Sequence, residues 1–302
     1  MKIFLTGGTG YVGSVLLEHL IAEGHVVEAL TRSAGGAARL IEAGATPVQG
    51  SLADADVLRA AAARADAVVH AAFDSTMSDD ASATELIAVG ALASGAGESG
   101  SGKPVLYTST ALVYGVDPDQ DRHEEAQLPE RSAQPVKAQA EQTLLAAPGI
   151  IPMVMRVALV HGRAGSGLLT ALISHSATTA TAAYIDNGAQ VWDAIDVDDL
   201  ADLYVAALTQ PRAGVYNAKG AHSFTQRELV EAISAVTHAQ PVSLSAENAA
   251  SALGPLALIL GAPGTLAGDK ARRTFPWTPL RGSILDDIRY GSYRHAIDQP
   301  SE

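Results

Sequence analysis

The sequence predicts an α/β fold in which a doubly wound parallel sheet carries a smaller C-terminal region. Three observations predict it. A glycine-rich loop, Thr6-Gly7-Gly8-Thr9-Gly10-Tyr11-Val12-Gly13, stands between an apolar run and a helical pattern. Strand-like and helix-like segments alternate through the first half, which calls for right-handed crossovers between parallel strands. The chain has 302 residues, 47% of them hydrophobic, enough to bury one large α/β core or a main core and a smaller one.

The elements follow in order. Lys2-Ile3-Phe4-Leu5 reads as the first strand, and Val12, Val15, Leu16 and Leu20 recur at helical spacing after the loop. Val26-Val27-Glu28-Ala29-Leu30 reads as the second strand, Thr46-Pro47-Val48 as a short third, Ala67-Val68-Val69-His70 as the fourth and Pro104-Val105-Leu106-Tyr107 as the fifth. Residues 93–103 read as a helix end and loop, rich in Gly and Ser, and Met153-Val154-Met155 begins another buried strand. Beyond it the alternation weakens. Residues 1–160, which also receive 190–215, are read as a Rossmann-type nucleotide-binding domain, and residues 161–302 as a discontinuous substrate-binding and lid region.

Strand, glycine turn and helix in that order form a dinucleotide signature. The backbone must turn tightly and approach a pyrophosphate, whose charge then rests on free N–H groups at the helix start. Gly7, Thr9, Gly10, Tyr11, Val12 and Gly13 are the expected contacts. The end of the second strand selects the cofactor. An acid there would bind the ribose of NAD and repel a 2′-phosphate, but this chain has Thr31-Arg32-Ser33. Arg32, with a hydroxyl on each side in Thr31 and Ser33, is suited to a phosphate, so NADP(H) is expected, with Arg39 as a helper.

Composition narrows the rest. With no cysteine there is neither disulfide nor thiolate chemistry, and no metal site is expected. A net charge of −13 argues against nucleic acid, which needs clustered Lys and Arg. No basic segment followed by a long apolar run is present, so no signal peptide or membrane span is expected and the cytoplasm is the default location.

The loop, Gly50-Ser51-Leu52, Val69-His70-Ala71-Ala72-Phe73, residues 107–115, Lys137 with Glu141, residues 156–162, residues 195–201 and Phe275-Pro276-Trp277-Thr278-Pro279 together span nearly the whole chain. This set resembles short-chain dehydrogenase/reductases of the extended or atypical type, the epimerase/dehydratase-like group. Within it the pattern resembles an atypical subgroup that includes ketoreductases of angucyclinone and other aromatic polyketides. The resemblance implies that Ser51 and Leu52 flank the adenine, weakly at Ser51, where relatives usually carry Asp. It places Ala71, Ala72 and Phe73 along the ribose and phosphates, Thr108 among the cofactor contacts, and Leu159 and Val160 by the carboxamide. Thr110 aligns with the catalytic Ser/Thr, with Ser109 beside it, and Lys137 with the lysine that holds the nicotinamide ribose. Ala133, four residues before Lys137, stands where relatives have the tyrosine that donates the proton.

That gap frames the chemistry. Carbonyl reduction needs a hydride from the cofactor and a proton for the nascent alkoxide. Alanine cannot give the proton. The expected sources are the substrate itself, through a phenolic hydroxyl next to the ketone, or another group: His161, Tyr184, Tyr114 or water. The expected substrate is an aromatic, apolar small molecule. Its contacts would be Thr110, His161, Tyr184, Trp192 and Leu256, the last in the apolar stretch 252–263, read either as a buried helix or as a mobile lid. Asp198 is read as the cap of the helix that follows it. The expectation is an NADPH-dependent ketoreductase. The alternatives are a nucleotide-sugar epimerase or dehydratase, which would hold a pyrophosphate with basic residues such as Arg163, Arg212 and Arg281, and a non-catalytic NADP(H)-binding regulator.

Overall fold

The structure, a computed structural model, describes residues 1–72, 79–117, 119–130, 132–253, 257, 260–262 and 264–298. The first half runs β1 (Lys2–Thr6), α1 (Tyr11–Ala22), β2 (Val26–Thr31), α2 (Ala34–Glu42), β3 (Thr46–Gln49), α3 (Ala55–Arg64), β4 (Ala67–His70), α4 (Asp79–Gly97) and β5 (Lys103–Thr110). A short 3₁₀ turn, Ala111–Tyr114, leads to α5 (Pro135–Leu145) and β6 (Ile150–Val157). The second half adds β7 (Leu159–His161), α6 (Gly167–Thr179), β8 (Thr181–Ile185), β9 (Val191–Asp196), α7 (Val197–Thr209) and β10 (Gly214–Ala218). It continues with β11 (Ser223–Thr225), α8 (Gln226–Thr237), β12 (Gln240–Leu244), α9 (Ala246–Leu253), α10 (Lys270–Thr274), α11 (Ile284–Tyr290) and α12 (Ser292–Asp298).

Seven strands form one sheet in the order β10-β6-β5-β4-β1-β2-β3, every neighbour parallel. The chain winds outward from β1 to β3, returns to β4 on the other side and winds outward again. The reversal lies between β1 and β4, where Thr6 is in register with His70. A crevice at the carboxyl ends of the strands is the expected consequence of such a switch point.

Helices cover both faces because strands buried on both sides are apolar nearly throughout. On one face α1 and α7 bring Leu16, Leu20, Leu200, Leu203 and Tyr204 onto the sheet. On the other, the alanine-rich α3, α4 and α5 pack Leu58, Ala61, Ala88, Leu92, Ala140 and Leu144. A separate core under α6, α8 and α11 holds Leu169, Ile173, Trp192, Phe224, Leu229, Ile233 and Ile288. It is served by a three-stranded sheet, β11-β9-β7, and the pair β12-β8. The segment from β9 to α7 bridges the two units, since α7 returns to the main sheet. Among the described residues no helix is long and apolar enough to cross a membrane.

One local expectation needs correction. Asp196, not Asp198, caps α7: it has the extended backbone of a cap residue (φ −66°, ψ 141°), and its carboxylate accepts from the Asp198 N–H at 2.8 Å. The Asp198 carboxylate turns instead to His19 and Arg163. The apolar stretch 252–263 divides. Of its described members, Ala257 and Leu260 are buried in the second core, whereas Leu256 lies outside the described residues.

Candidate active site

The crevice at the switch point is a groove of about 720 Å³, the size of a cofactor or drug-like ligand. Its floor begins with the glycine loop. Gly7 has φ +82°, and a side chain there would drive Cβ to 2.6 Å from the backbone of Ala71 and Ala72. A Cβ on Gly13 would lie 2.0 Å from the Gly7 carbonyl oxygen. Both positions therefore exclude any side chain, and the loop lies flat against the end of β4. Tyr11, Val12 and Gly13 open α1, whose first-turn N–H groups have no acceptor within the helix and give an anion site on the groove.

Of the residues expected on the cofactor, Gly7, Thr9, Gly10, Tyr11 and Val12 line the groove from the loop. Arg32, Ser51, Leu52, Ala71 and Ala72 line it from the ends of β2, β3 and β4. Arg32 is exposed, and among the described residues its guanidinium pairs with no carboxylate. Ser33 does not line the groove; its hydroxyl accepts from the Gly36 N–H at 3.0 Å and caps α2 beside Arg32. Asp54 accepts from both the N–H and the hydroxyl of Ser51, at 2.6 and 2.8 Å. These hydrogen bonds hold the Asp54 carboxyl below its usual range and place a carboxylate next to position 51 after all. The Tyr11 hydroxyl donates to the Gly162 carbonyl at 2.7 Å, tying the loop to the second unit. Phe73 lies outside the described residues.

Behind the Glu85 wall of the groove, α4 and α5 press charged side chains against the end of β5, where Lys137, Thr108 and Thr110 lie outside the groove's own lining. Lys137 is 4% exposed, and its Nζ donates to Glu85 Oε1 at 2.7 Å and to the Thr108 carbonyl at 3.2 Å. Glu85, on α4, lines the groove. It also accepts from the Tyr107 hydroxyl at 2.6 Å and lies 3.4 Å from His70 Nε2. His70 Nδ1 in turn meets the Thr6 hydroxyl, and its ring stacks on Tyr107. Burial alone would raise the Glu85 carboxyl, but the His70 hydrogen bond and the nearby Lys137 ammonium hold it well below the usual range. Burial pulls the Lys137 ammonium down from its ordinary range, opposed by Glu85.

Thr110 is half-buried two residues beyond the carbonyl that Lys137 holds. Its Oγ1 accepts from the Leu112 N–H at 3.3 Å, so its own proton remains to donate. Ser109 faces elsewhere: it is 3% exposed and donates to Glu141. Glu141 is held by Arg156, which also donates to the Tyr114 hydroxyl at 2.8 Å. Tyr114 in turn donates to Asn217, so it belongs to the scaffold. The Thr108 hydroxyl accepts from Tyr204 at 3.0 Å. Ala133 is half-buried just before α5, with no hydroxyl to offer.

The residues expected on the substrate do not gather at this end. His161 is 2% exposed and pairs with Asp287 of α11 at 3.1 Å. Trp192 is buried against Phe224 in the second core, and Tyr184 lies under the Arg227 guanidinium at 4.8 Å. Leu159 packs on the second core and Val160 on the first. Arg163 is occupied by Asp198 and Glu18, and Arg281 by Asp199 and Asp202. Glu85 and His70 escaped the site reading from sequence. The available signal was one charge, Glu85, in residues 81–97, which are otherwise small or apolar.

The sequence profile of the NAD dependent epimerase/dehydratase family matches residues 3–218. The chain belongs to this family. As a member, it is an enzyme of the oxidoreductase or epimerase/dehydratase type, built for a nicotinamide dinucleotide. An uncharacterised protein of Schizosaccharomyces pombe is 30% identical over 298 residues, 97% of this chain and 100% of the relative. A 4-hydroxy-2-methyl-3-oxo-4-farnesyl-3,4-dihydroquinoline-1-oxide ketoreductase of Stigmatella aurantiaca is 30% identical over 225 residues, 72% of this chain and 67% of that protein. Among solved structures, a Bordetella bronchiseptica enzyme in complex with NAD and UDP shares the fold at a TM-score of 0.78, with 23% identity, covering 99% of this chain and 95% of that one.

Proposed function

We propose that the protein is an NADPH-dependent ketoreductase that reduces a carbonyl of a bulky aromatic, polyketide-type substrate. The observation that carries the cofactor choice is Arg32, exposed on the groove at the end of β2 where an acid would repel a 2′-phosphate. The likeness to a ketoreductase of a farnesylated, oxidised quinoline supports the reaction and the bulky aromatic substrate. In this reading Gly7 and Gly13 clear space for the pyrophosphate, and the α1 N-terminus neutralises it. Arg32 holds the 2′-phosphate, with the start of α2 beside it.

The cofactor, when bound, supplies the hydride. Lys137, behind Glu85, would orient its ribose, and Thr110 would donate a hydrogen bond to the substrate oxygen. Holding the ketone beside the nicotinamide contributes a large part of the rate acceleration. The epimerase reading stands second, because sugar-nucleotide chemistry needs a group that removes a proton and Ala133 provides none. Two of the three basic residues read as a pyrophosphate clamp, Arg163 and Arg281, are also paired to carboxylates.

The test is NADPH oxidation with a peri-hydroxynaphthoquinone. The expected result is carbonyl-dependent turnover that is faster with NADPH than with NADH. Tight NADPH binding without turnover of any carbonyl would instead identify a non-catalytic NADP(H)-binding regulator.

A further inference from the structure

We propose that Lys137 is the proton donor that replaces the missing tyrosine, and that Glu85 is the positioning residue that keeps it charged and aimed. The inference rests on the ketoreductase reading. It begins with elimination among the described residues. Ser109 gives its proton to Glu141, Tyr114 to Asn217, and His161 is held by Asp287. Tyr107 gives its proton to Glu85, and burial followed by the Glu85 charge pushes its hydroxyl far above the ordinary tyrosine range. Thr110 can donate a hydrogen bond, but its hydroxyl is a weak acid. Of the two cations paired with carboxylates beside β5, Lys137 and Arg156, Lys137 is the one whose carboxylate, Glu85, lines the groove.

The geometry supplies what a buried acid needs. An ammonium taken out of water survives only with a partner, and Glu85 provides it at 2.7 Å. Burial makes the ammonium a stronger acid than an exposed lysine, which brings it toward the working pH. Glu85 is nearly closed over, at 5% exposure, yet it borders the groove, so solvent protons reach the pair from the cofactor side. His70 and Tyr107 hold the carboxylate from behind.

The step balances. The carbonyl carbon accepts the hydride of the reduced nicotinamide and forms a C–H bond. The C=O π pair moves to oxygen, which takes a proton as the Nζ–H bond of Lys137 breaks. Lys137 is left as an amine, and a solvent proton entering over Glu85 restores it. One hydride and one solvent proton are consumed for each alcohol formed.

The experiment uses the full chain with NADPH and phenanthrenequinone, a flat aromatic diketone that has no hydroxyl with which to assist itself. Turnover falls as pH rises through the Lys137 pKa. Glu85→Gln removes the carboxylate that favours the ammonium, so the alkaline limb of kcat moves to lower pH and kcat drops by about 10²–10⁴-fold. Glu85→Asp restores part of the rate and the position of the limb. The same downward move is expected in the pH dependence of NADPH affinity, read by cofactor fluorescence without any substrate. Lys137→Met abolishes both limbs and, in Glu85→Gln/Lys137→Met, removes the unpaired buried charge, which separates loss of the relay from loss of folding.

A Glu85→Gln variant that is slow but keeps the wild-type limbs in both readouts makes Glu85 merely structural and overturns the proposal. Turnover of a peri-hydroxynaphthoquinone but not of phenanthrenequinone means that the substrate supplies the proton. That outcome overturns the proposal and leaves the ketoreductase reading standing. Wild-type protein that binds NADPH and reduces neither probe removes both.

Discussion

Two buried ion pairs flank β5 on the same face, and they are built alike. Tyr107 and Ser109, alternate residues of the strand, each donate to a carboxylate: Tyr107 to Glu85 and Ser109 to Glu141. Each carboxylate has a cation, Lys137 or Arg156, and α5 carries both Lys137 and Glu141, one turn apart. The difference lies in how each is closed. Arg156 reaches both oxygens of Glu141 and spends a further N–H on Tyr114, so every group faces inward. Lys137 meets Glu85 through a single oxygen, and Glu85 also borders the groove. A fork matched to a carboxylate makes a rigid strut, whereas a point charge on a flexible stem can exchange partners and protons. In the proposed mechanism the same chemistry thus serves as scaffold in one place and as proton source in the other.

The strongest way to break this comparison is Arg156→Met. It strands Glu141 without its cation and should lower the unfolding free energy by about 3–5 kcal/mol in urea denaturation at neutral pH. A loss below about 1 kcal/mol, the range of a solvent-exposed pair, would mean that the strut bears little load. Lys137→Met should act the other way round. A fall in kcat of about 10²–10⁴-fold is expected, with a smaller stability change than Arg156→Met, because Glu85 keeps Tyr107 and His70 and borders the groove. Equal stability losses for the two variants would erase the distinction.

At the far end of the groove, Arg32→Ala should cut the preference for NADPH over NADH by about tenfold to a hundredfold, the worth of hydrogen bonds to a charged phosphate. Fluorescence titration of both cofactors measures it, and equal affinities before and after the change would remove Arg32 from the site. The smallest effect concerns acid. Glu85 titrates below its ordinary range in the folded protein, so its contribution is present above the unfolded pKa of about 4.3 and is lost as pH falls below that value. Denaturation curves from neutral pH to acid should therefore decline less steeply for Glu85→Gln than for the wild type. Parallel curves would show that the open pair adds nothing to folding.

That many of the candidate cofactor residues would share one groove was legible from local pattern. Gly7, Thr9, Gly10, Tyr11, Val12, Arg32, Ser51, Leu52, Ala71 and Ala72 meet in one groove, because they follow the carboxyl ends of strands, which a parallel sheet gathers. The substrate side was legible only as a set of residue types. His161, Trp192 and Tyr184 have the chemistry to touch a ligand, but pairing with Asp287 and packing in the second core use them elsewhere. Their side chains do not announce in sequence which neighbour will claim them. Asp198 was misjudged for the same reason one residue pair away: either Asp could cap α7, and the backbone angles decided in favour of Asp196.

By itself the sequence determined the doubly wound fold, the glycine loop, the basic residue at the end of β2 and the absence of a tyrosine at position 133. All are short-range features, set by the period of a strand or helix, by the room a backbone needs, or by the identity of one residue. Only the tertiary structure decided that Glu85 meets Lys137 across a separation of 52 residues. That contact depends on α4 and α5 packing side by side over β5, so no local pattern carries it. The low polarity of that packed interface then makes one carboxylate and one ammonium depend on each other.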